Sequence, residues 1–473
     1  MSLVNRDLVT VDDLSYGEME AVFSLADEMS DSMVEQLDAC RGKVLACLFF
    51  EPSTRTRLSF EAAMHRLGGS VISVADARAS SVAKGESLAD TARIVGSYAD
   101  IIVIRHPWEG AARVVADYAD VPVINAGDGG HQHPTQTLLD LYTLRKERKS
   151  IRGLRIALWG DLKYGRTIHS LIFALAKFGA DILFCPSPGL EVPDNIIRKL
   201  VAEYGGQVEH VTAPEHTPDG VPFPLDAVYM TPSSPHQLAM MPDVNIAVSL
   251  EEGVDALYVT RPQKERFIAA EEEQGLKGKY PVVDKELLKG KRFRQALVMH
   301  PLPRVDELAY DVDADPRSMY FKQAARGVPI RMALIALLLG NREVPTLVEE
   351  EDTSVLSPEY PVYQRDYGAR CPNPACVSTK ETETKYLKSE FRIVSREPLT
   401  LRCIYCEHGF QPEYVASSDW HEGRLESKRY HRADSYWARI IRPENLIVFG
   451  SVGDAEANGF RPGRHEGTKR AKK

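Results

Sequence analysis

Between about residue 42 and residue 340, short unbroken apolar runs alternate with stretches of helical period. Val44–Phe50, Asp100–Ile104, Val121–Ile124, Leu154–Trp159, Asp181–Cys185, Ala256–Thr260 and Ala296–Met299 read as strands. Several are continuous runs of Val, Ile and Leu, the pattern of parallel strands covered on both faces. From Thr56 to Leu67 the period changes: Phe60, Met64 and Leu67 fall on one side of a predicted helix, and Gly68-Gly69 stops it. Ser15-Tyr16-Gly17-Glu18 has the spacing of a capping box ahead of an earlier helix. The expected fold class is α/β: two doubly wound parallel-sheet domains, followed by a small β-rich C-terminal domain.

The charged segment Arg145–Ser150 precedes a fresh strand and marks the expected boundary between the two α/β halves, 1–148 and 149–304. A second boundary follows the apolar helix Ile330–Leu339, which Gly340 ends. The acidic run Glu349–Asp352 opens an expected linker over 341–370, a last domain spans 371–458, and the basic tail 459–473 is expected to be disordered.

A chain of 473 residues is too long for one core, and its 44% hydrophobic and 26% charged content is that of an ordinary globular protein. Net charge of −9 opposes general nucleic-acid binding. Lys428, Arg429, Arg432 and the basic tail could form a local patch, but Lys380–Arg402 has no clear aromatic-basic stripe, so nucleic acid is not an expected partner. No apolar run reaches membrane-spanning length and Met1–Asp7 lacks a signal-peptide core, so no membrane partner and a cytoplasmic location are expected.

Cysteine usage is uneven. Cys40, Cys47 and Cys185 sit among apolar neighbours and read as core residues. Cys371-x4-Cys376-x26-Cys403-x2-Cys406 has the spacing of two zinc knuckles. Four thiolates close the coordination shell, so the expected Zn²⁺ is structural and serves folding.

Candidate chemistry concentrates where strands end. Phe49-Phe50-Glu51-Pro52-Ser53-Thr54-Arg55-Thr56-Arg57 joins an apolar strand to a helix. Free N–H groups at a helix start form an anion site, to which Ser53, Thr54 and Thr56 add hydroxyls and Arg55 and Arg57 add guanidinium groups. Cations in a first turn oppose the dipole, so a phosphate is expected there. Arg105, Arg166 and Arg261 each follow a strand, the edge at which open sheets bind ligands. Gly160 and Gly165 lack the G-x-G-x-x-G spacing of a dinucleotide loop. His133 precedes a helix and can donate to a carbonyl oxygen; His131 and His133 lack a nearby third ligand, so a metal there is not expected. In Met299–Arg304 two prolines fix the backbone so that carbonyls can face a ligand, and Ser80–Ser87, with Lys84, reads as a mobile lid. Together these cations suit a polyanionic substrate set.

Phe50–Arg57, Arg105-His106-Pro107, His133-Pro134-Thr135-Gln136, Gly160–Arg166, Arg261-x-Gln263 and His300-Pro301-Leu302-Pro303-Arg304 closely resemble aspartate carbamoyltransferases, in family order, from about residue 5 to 342. The resemblance implies carbamoyl transfer from carbamoyl phosphate to L-aspartate, a step of pyrimidine synthesis, without a catalytic cofactor. It implies a carbamoyl-phosphate-binding domain at 1–148, completed by a helix returning from 305–340, and an aspartate-binding domain at 149–304. Ser53, Thr54, Arg55 and Thr56 are then expected to cradle the phosphate. Arg105, His133 and Thr56 would polarise the carbonyl, while Gln136 and the carbonyls of Pro301 and Leu302 hold the NH₂ group. Arg166, Arg261 and Gln263 would bind the aspartate carboxylates. Ser80 and Lys84 would reach a neighbouring subunit's site, which makes a homotrimer the expected minimum, with a dimer of trimers or association with dihydroorotase as further expectations. Ornithine carbamoyltransferases share S-T-R-T-R, but usually carry an S-M-G loop and a cysteine where this chain has Pro301.

Cys371–Cys376 and Cys403–Glu407 resemble the zinc-binding domain of aspartate carbamoyltransferase regulatory chains. In those chains an effector nucleotide-binding domain precedes it. Residues 341–370 are too few for such a domain, so nucleotide control through it is not expected and a role in assembly or regulation is.

Overall fold

Two parallel sheets carry the chain from residue 44 to 299. The computed structural model describes residues 2–31, 37–74, 85–148, 150–205, 209–210, 225–232, 253–261, 282–343, 358–381, 386–387, 389–419 and 428–463. Strands β1 (Val44–Phe49), β2 (Ser70–Val74), β3 (Ile101–His106) and β4 (Val123–Asp128) form the first sheet in the order β2-β1-β3-β4. The second holds β5 (Arg155–Gly160), β6 (Asp181–Pro186), β7 (Glu209–His210), β8 (Ala227–Thr231), β9 (Ala256–Val259) and β10 (Leu297–Met299), ordered β10-β9-β8-β5-β6-β7. Residues of β1, β3 and β4 are buried almost throughout, which is why their apolar runs do not alternate.

Helices flank both sheets: α1 (Tyr16–Asp31), α2 (Thr54–Arg66), α3 (Leu88–Gly96), α4 (Ala111–Tyr118), α5 (Pro134–Arg148), α6 (Arg166–Lys177), α7 (Asp194–Tyr204), α8 (Lys285–Lys289) and α9 (Tyr320–Leu338). The capping box before α1 forms in both directions, Glu18 N–H to Ser15 Oγ at 3.2 Å and Ser15 N–H to Glu18 Oε2 at 2.8 Å. Helix α9 returns from the second sheet to pack on α1, α2 and α5. Its Ile330–Leu338 stretch is buried all round, as expected for a helix with no solvent face.

In each sheet one strand is the point from which the winding reverses. The chain goes from β1 to β2 on one side and to β3 on the other; from β5 it goes to β6 and then to β8. Open α/β sheets leave a crevice at the carboxyl ends of such strands. The register sets Phe49 beside Arg105 and Gly160 beside Thr231 at those ends.

The C-terminal part is antiparallel except at one edge. Strands β11 (Val362–Tyr363), β12 (Phe391–Arg396), β13 (Leu399–Cys403) and β14 (Gly409–Phe410) form one sheet; β15 (Tyr414–Ser417), β16 (Arg429–Arg432), β17 (Leu446–Phe449) and β18 (Arg461–Pro462) form another in the order β17-β15-β16-β18. The first of these sheets packs on the outer face of the β2-β1-β3-β4 sheet: Ala111, Val115 and Ile104 share one apolar cluster with Cys376, Leu401 and Tyr405.

Several expectations change. Helix α2 begins at Thr54 instead of Thr56, so Thr54, Arg55 and Thr56 form its first turn. Strands β2 and β8 were not apparent in the pattern; β2 is an edge strand whose Ile72 is exposed, which blurs its apolar signal. The charged segment expected to mark the boundary is the last turn of α5, where Arg145 pairs with Glu20 and Asp27 on α1. The linker expected over 341–370 already contains β11, and Gly368 bridges to Phe449. The tail expected to be disordered from 459 contributes β18.

Candidate active site and metal-ligand cluster

A cleft of about 920 Å³ opens where the carboxyl ends of β1 and β3 face those of β8 and β9. On its first wall, the loop after β1 enters α2. Ser53 occupies the N-cap, but its hydroxyl makes no capping bond, and the first turn holds no acidic residue. The positive end of the helix and the Ser53, Thr54 and Thr56 side chains therefore face the cleft with no acidic residue in the first turn, and the nearby Glu51 carboxylate is paired with Arg105. Arg55 lines it as well. Arg57, also expected to await an anion, instead pairs along the helix with Glu61 at 3.5 Å.

Arg105, next to the last residue of β3, is a buried cation on this wall. Its Nη1 donates to the Ala126 carbonyl at 3.2 Å, and its Nε lies 3.2 Å from Oε2 of Glu51, two residues before the Ser53 N-cap. His133 stands immediately before α5, its backbone N–H donating to Ser170 Oγ at 2.9 Å. Gly127 separates the two: with φ of 114°, a β-carbon there would lie 3.2 Å from both Arg105 Nη1 and the His133 ring. Only glycine leaves both side chains their positions.

One turn along α5 from His133, Gln136 donates through Nε2 to Asp140 Oδ1 at 2.8 Å. Asp140 is buried, and burial pushes its carboxyl up to about 7 against the hydrogen bonds of Gln323, Tyr258 and Gln136 and the charge of Arg331. Opposite, Pro301 and Leu302 line the cleft after β10, with Leu302 at φ of 54°. Leu302 N–H donates to His300 Nδ1 at 2.8 Å, which leaves the other ring nitrogen, 2.8 Å from Glu307, to carry the proton. Burial outweighs Glu307 and lowers the His300 pKa, consistent with a neutral ring.

The second sheet supplies Thr231 from β8 and Thr260 and Arg261 from just beyond β9. Arg166 opens α6 behind β5. Ser80, Lys84 and Gln263 lie outside the described residues. The structure thus brings Ser53, Thr54, Arg55, Thr56, Arg105, His133, Gln136, Arg261, Pro301 and Leu302 to one cleft. Sequence reading missed Glu51 and Gln323, which line the cleft, and Gly127 and Asp140, which pack against or bond the residues that do. Glu51 was visible inside its motif; the other three carry no local signal.

Cys371, Cys376, Cys403 and Cys406 meet elsewhere, their four Sγ atoms within 4.8 Å of one another. Two of the separations are 3.6 Å (Cys371 to Cys406) and 3.9 Å (Cys376 to Cys403). A tetrahedral ion with metal–sulfur bonds of about 2.3 Å requires sulfur separations of about 3.8 Å, so the four thiols fit one. Asn373 Nδ2 and Ser378 Oγ approach Cys406 and Cys376 from outside the cluster. Backbone bonds attach this module to the first sheet: Glu109 N–H to the Ala375 carbonyl at 2.9 Å and Val377 N–H to the Glu109 carbonyl at 2.8 Å. Beside them lies a buried charge cluster. His131 sits 3.0 Å from Asp128 and 3.2 Å from Glu407, and Lys199 Nζ bonds Glu407 at 2.7 Å and also Asp12.

The carbamoyl-P binding domain of aspartate/ornithine carbamoyltransferases matches residues 6–146, their Asp/Orn binding domain residues 200–338, and the metal binding domain of the aspartate carbamoyltransferase regulatory chain residues 368–416. Aspartate carbamoyltransferase catalytic subunits from Thermoplasma acidophilum and Methanopyrus kandleri are 46% and 48% identical to this chain, over 72% of it and 100% and 99% of their own lengths. The solved catalytic subunit of M. jannaschii aspartate transcarbamoylase matches at a TM-score of 0.57 and 43% identity, covering 71% of this chain and 98% of that one. Aspartate transcarbamoylase from Trypanosoma cruzi, in complex with carbamoyl phosphate and aspartate, matches at 0.58 and 35%, covering 71% and 98%. The chain belongs to the aspartate/ornithine carbamoyltransferase family. Within that family it is an aspartate carbamoyltransferase, and the same chain carries a metal binding domain of the regulatory-chain type.

Proposed function

We propose that the chain transfers the carbamoyl group of carbamoyl phosphate to L-aspartate, giving N-carbamoyl-L-aspartate and phosphate in pyrimidine biosynthesis. The carrying observation is the convergence of a helix start with no acidic residue in its first turn, Arg105, His133 and Arg261 in one cleft. The α2 N-terminus, with Ser53, Thr54 and Arg55, takes the phosphate. Arg105, His133 and Thr56 polarise the carbonyl and stabilise the oxyanion formed when the aspartate amine attacks. The new C–N bond forms, the C–O bond to phosphate breaks, and the amine proton leaves with the phosphate. Gln136 presents its Oε1, and Pro301 and Leu302 their carbonyls, to the NH₂ group. Arg261, with Arg166 and Gln263, binds the two aspartate carboxylates. Holding both substrates in line supplies the rest of the rate.

Zn²⁺ bound by Cys371, Cys376, Cys403 and Cys406 serves to fold the C-terminal module, which acts in assembly or regulation. The unit of activity is a homotrimer completed by Ser80 and Lys84 of a neighbour, with a dimer of trimers or a complex with dihydroorotase as larger forms. The family likeness supports that reading. A cytoplasmic site of action agrees with the chemistry, and no helix among the described residues is long and apolar enough to cross a membrane.

The test is product formation from carbamoyl phosphate with L-aspartate or with L-ornithine, side by side. Turnover with aspartate alone is the expected result. Turnover with ornithine overturns the second-substrate assignment and retains the phosphate site.

A further inference from the structure

We propose that Asp140 is the positioning residue that gives the cleft its selectivity for an NH₂ group, by fixing Gln136 and the His300–Leu302 loop relative to one another. The inference rests on the substrate assignment above and names the device behind it.

Asp140 receives donors from three separate elements. Its Oδ1 accepts from Gln136 Nε2 on α5 at 2.8 Å and from Gln323 Nε2 on α9 at 2.7 Å; its Oδ2 accepts from Tyr258 OH on β9 at 2.9 Å. Gln323 is engaged at both ends of its amide, because its Oε1 accepts the His300 N–H at 3.0 Å. Asp140, Tyr258, Gln323 and His300 are all buried. An unbroken chain of hydrogen bonds therefore runs from Gln136 through Asp140 and Gln323 to His300, and from the His300 ring to Leu302. Its two ends, Gln136 and Leu302, both line the cleft.

This chain decides which way the Gln136 amide faces. A glutamine amide has one accepting and one donating end of nearly equal size, and its partners determine the orientation. Above about pH 7, where Asp140 is ionised, its carboxylate only accepts, so it takes Nε2 and leaves Oε1 to accept from a substrate N–H. With an apolar residue at 140, the amide is free to turn and offer a donor to a group that is itself a donor. The same loss unties Gln323 from α5, and with it the loop that carries the Pro301 and Leu302 carbonyls. Tyr258 extends the tie to the second sheet, so that the amide-binding groups stay aligned across the cleft. Arg331 on α9 supplies the compensating charge for Asp140. Its guanidinium lies 4.9 Å from the centre of the Phe60 ring, and Gly327 gives it room, since a β-carbon there would fall 2.2 Å from Nη1.

Acetyl phosphate separates a positioning role from a merely structural one, because it replaces the NH₂ group by CH₃ and keeps the phosphate and carbonyl. The intact enzyme is assayed as wild type, Asp140→Leu, Asp140→Asn and Gln323→Met, measuring the KM for carbamoyl phosphate, the KM for L-aspartate and the inhibition constant of acetyl phosphate. Loss of the oriented acceptor is expected to raise the carbamoyl phosphate KM of Asp140→Leu about tenfold, with acetyl phosphate inhibition changed less than about twofold. Asp140→Asn keeps an acceptor at Oδ1 and is expected to recover most of the loss. Should Asp140→Leu not fold, Gln323→Met decides: it breaks the same chain and is expected to shift the two constants apart in the same direction. Equal changes for both phosphates, or no rescue by Asn, overturn the proposal while the wild type remains active. A wild type that carbamoylates no aspartate overturns the substrate assignment itself, and the proposal with it.

Discussion

Gly110 and Tyr405 touch backbone to backbone: a β-carbon at position 110 would lie 2.6 Å from the Tyr405 carbonyl carbon. Gly110 has φ of 84° and precedes α4, and its N–H is held by Asp128 at 2.7 Å. The metal module can approach the first sheet this closely only because position 110 has no side chain. Gly110→Ala adds both strain and overlap, an expected loss of roughly 1–3 kcal/mol. Limited proteolysis of the variant should cut the 358–463 region faster than in wild type; equal rates would show that the contact carries no docking energy.

The four-cysteine cluster is expected to hold about one zinc per chain, as structural Cys₄ sites do. Cys403→Ser, or a strong chelator, should release the metal and unfold the β11–β14 sheet, because folding of such a module is coupled to its metal. Metal analysis alongside circular dichroism in the far ultraviolet checks this. A chain that loses its metal with no change in the spectrum would refute the structural role.

Buried between Asp128 and Glu407, His131 links the loop after β4 to the metal module. Burial alone would depress its pKa, but the two carboxylates outweigh it and push the imidazole up to about 10. A group whose folded pKa exceeds its unfolded value stabilises the fold fully below the unfolded value, about 6.5, and loses that contribution as pH rises through the folded one. The melting-temperature gap between wild type and His131→Gln should therefore narrow as pH rises from about 6.5 towards 10. A gap independent of pH over that range would sink the ion-pair assignment.

Arg105 and His133 both line the cleft, where the oxyanion is expected to form. Removing one donor from a comparable acyl-transfer site costs about 10²–10³ in kcat. Steady-state kinetics of Arg105→Ala and His133→Ala should show losses of that order. A change confined to KM would assign these residues to binding alone.

The two arginines of the α2 start are predicted to differ. Arg55 lines the cleft, whereas Arg57 is turned to Glu61 and Ser73. Arg55→Ala should raise the carbamoyl phosphate KM by about tenfold, the worth of one charge-assisted hydrogen bond. Arg57→Ala should change it less than about twofold. Comparable effects from both would contradict the orientation of Arg57.

What the sequence determined by itself is local. Unbroken apolar runs identify parallel strands because burial on both faces is a property of each strand, and β1, β3, β5 and β6 lie within two residues of their expected places. The helix start that lines the cleft was legible because a strand, three hydroxyl residues and a helix follow one another in the chain. The cysteine spacing was legible because two knuckles are enough to define a ligand set. Tertiary structure decided the rest. Gly110 and Gly127 are needed by groups that arrive from elsewhere, Tyr405 in one case and Arg105 with His133 in the other. Asp140 meets Tyr258 and Gln323 across separations of 118 and 183 residues. No window of sequence contains such a meeting, because the side chains that satisfy a buried carboxylate are selected by packing of the folded chain, and packing depends on distance in space and not along the chain.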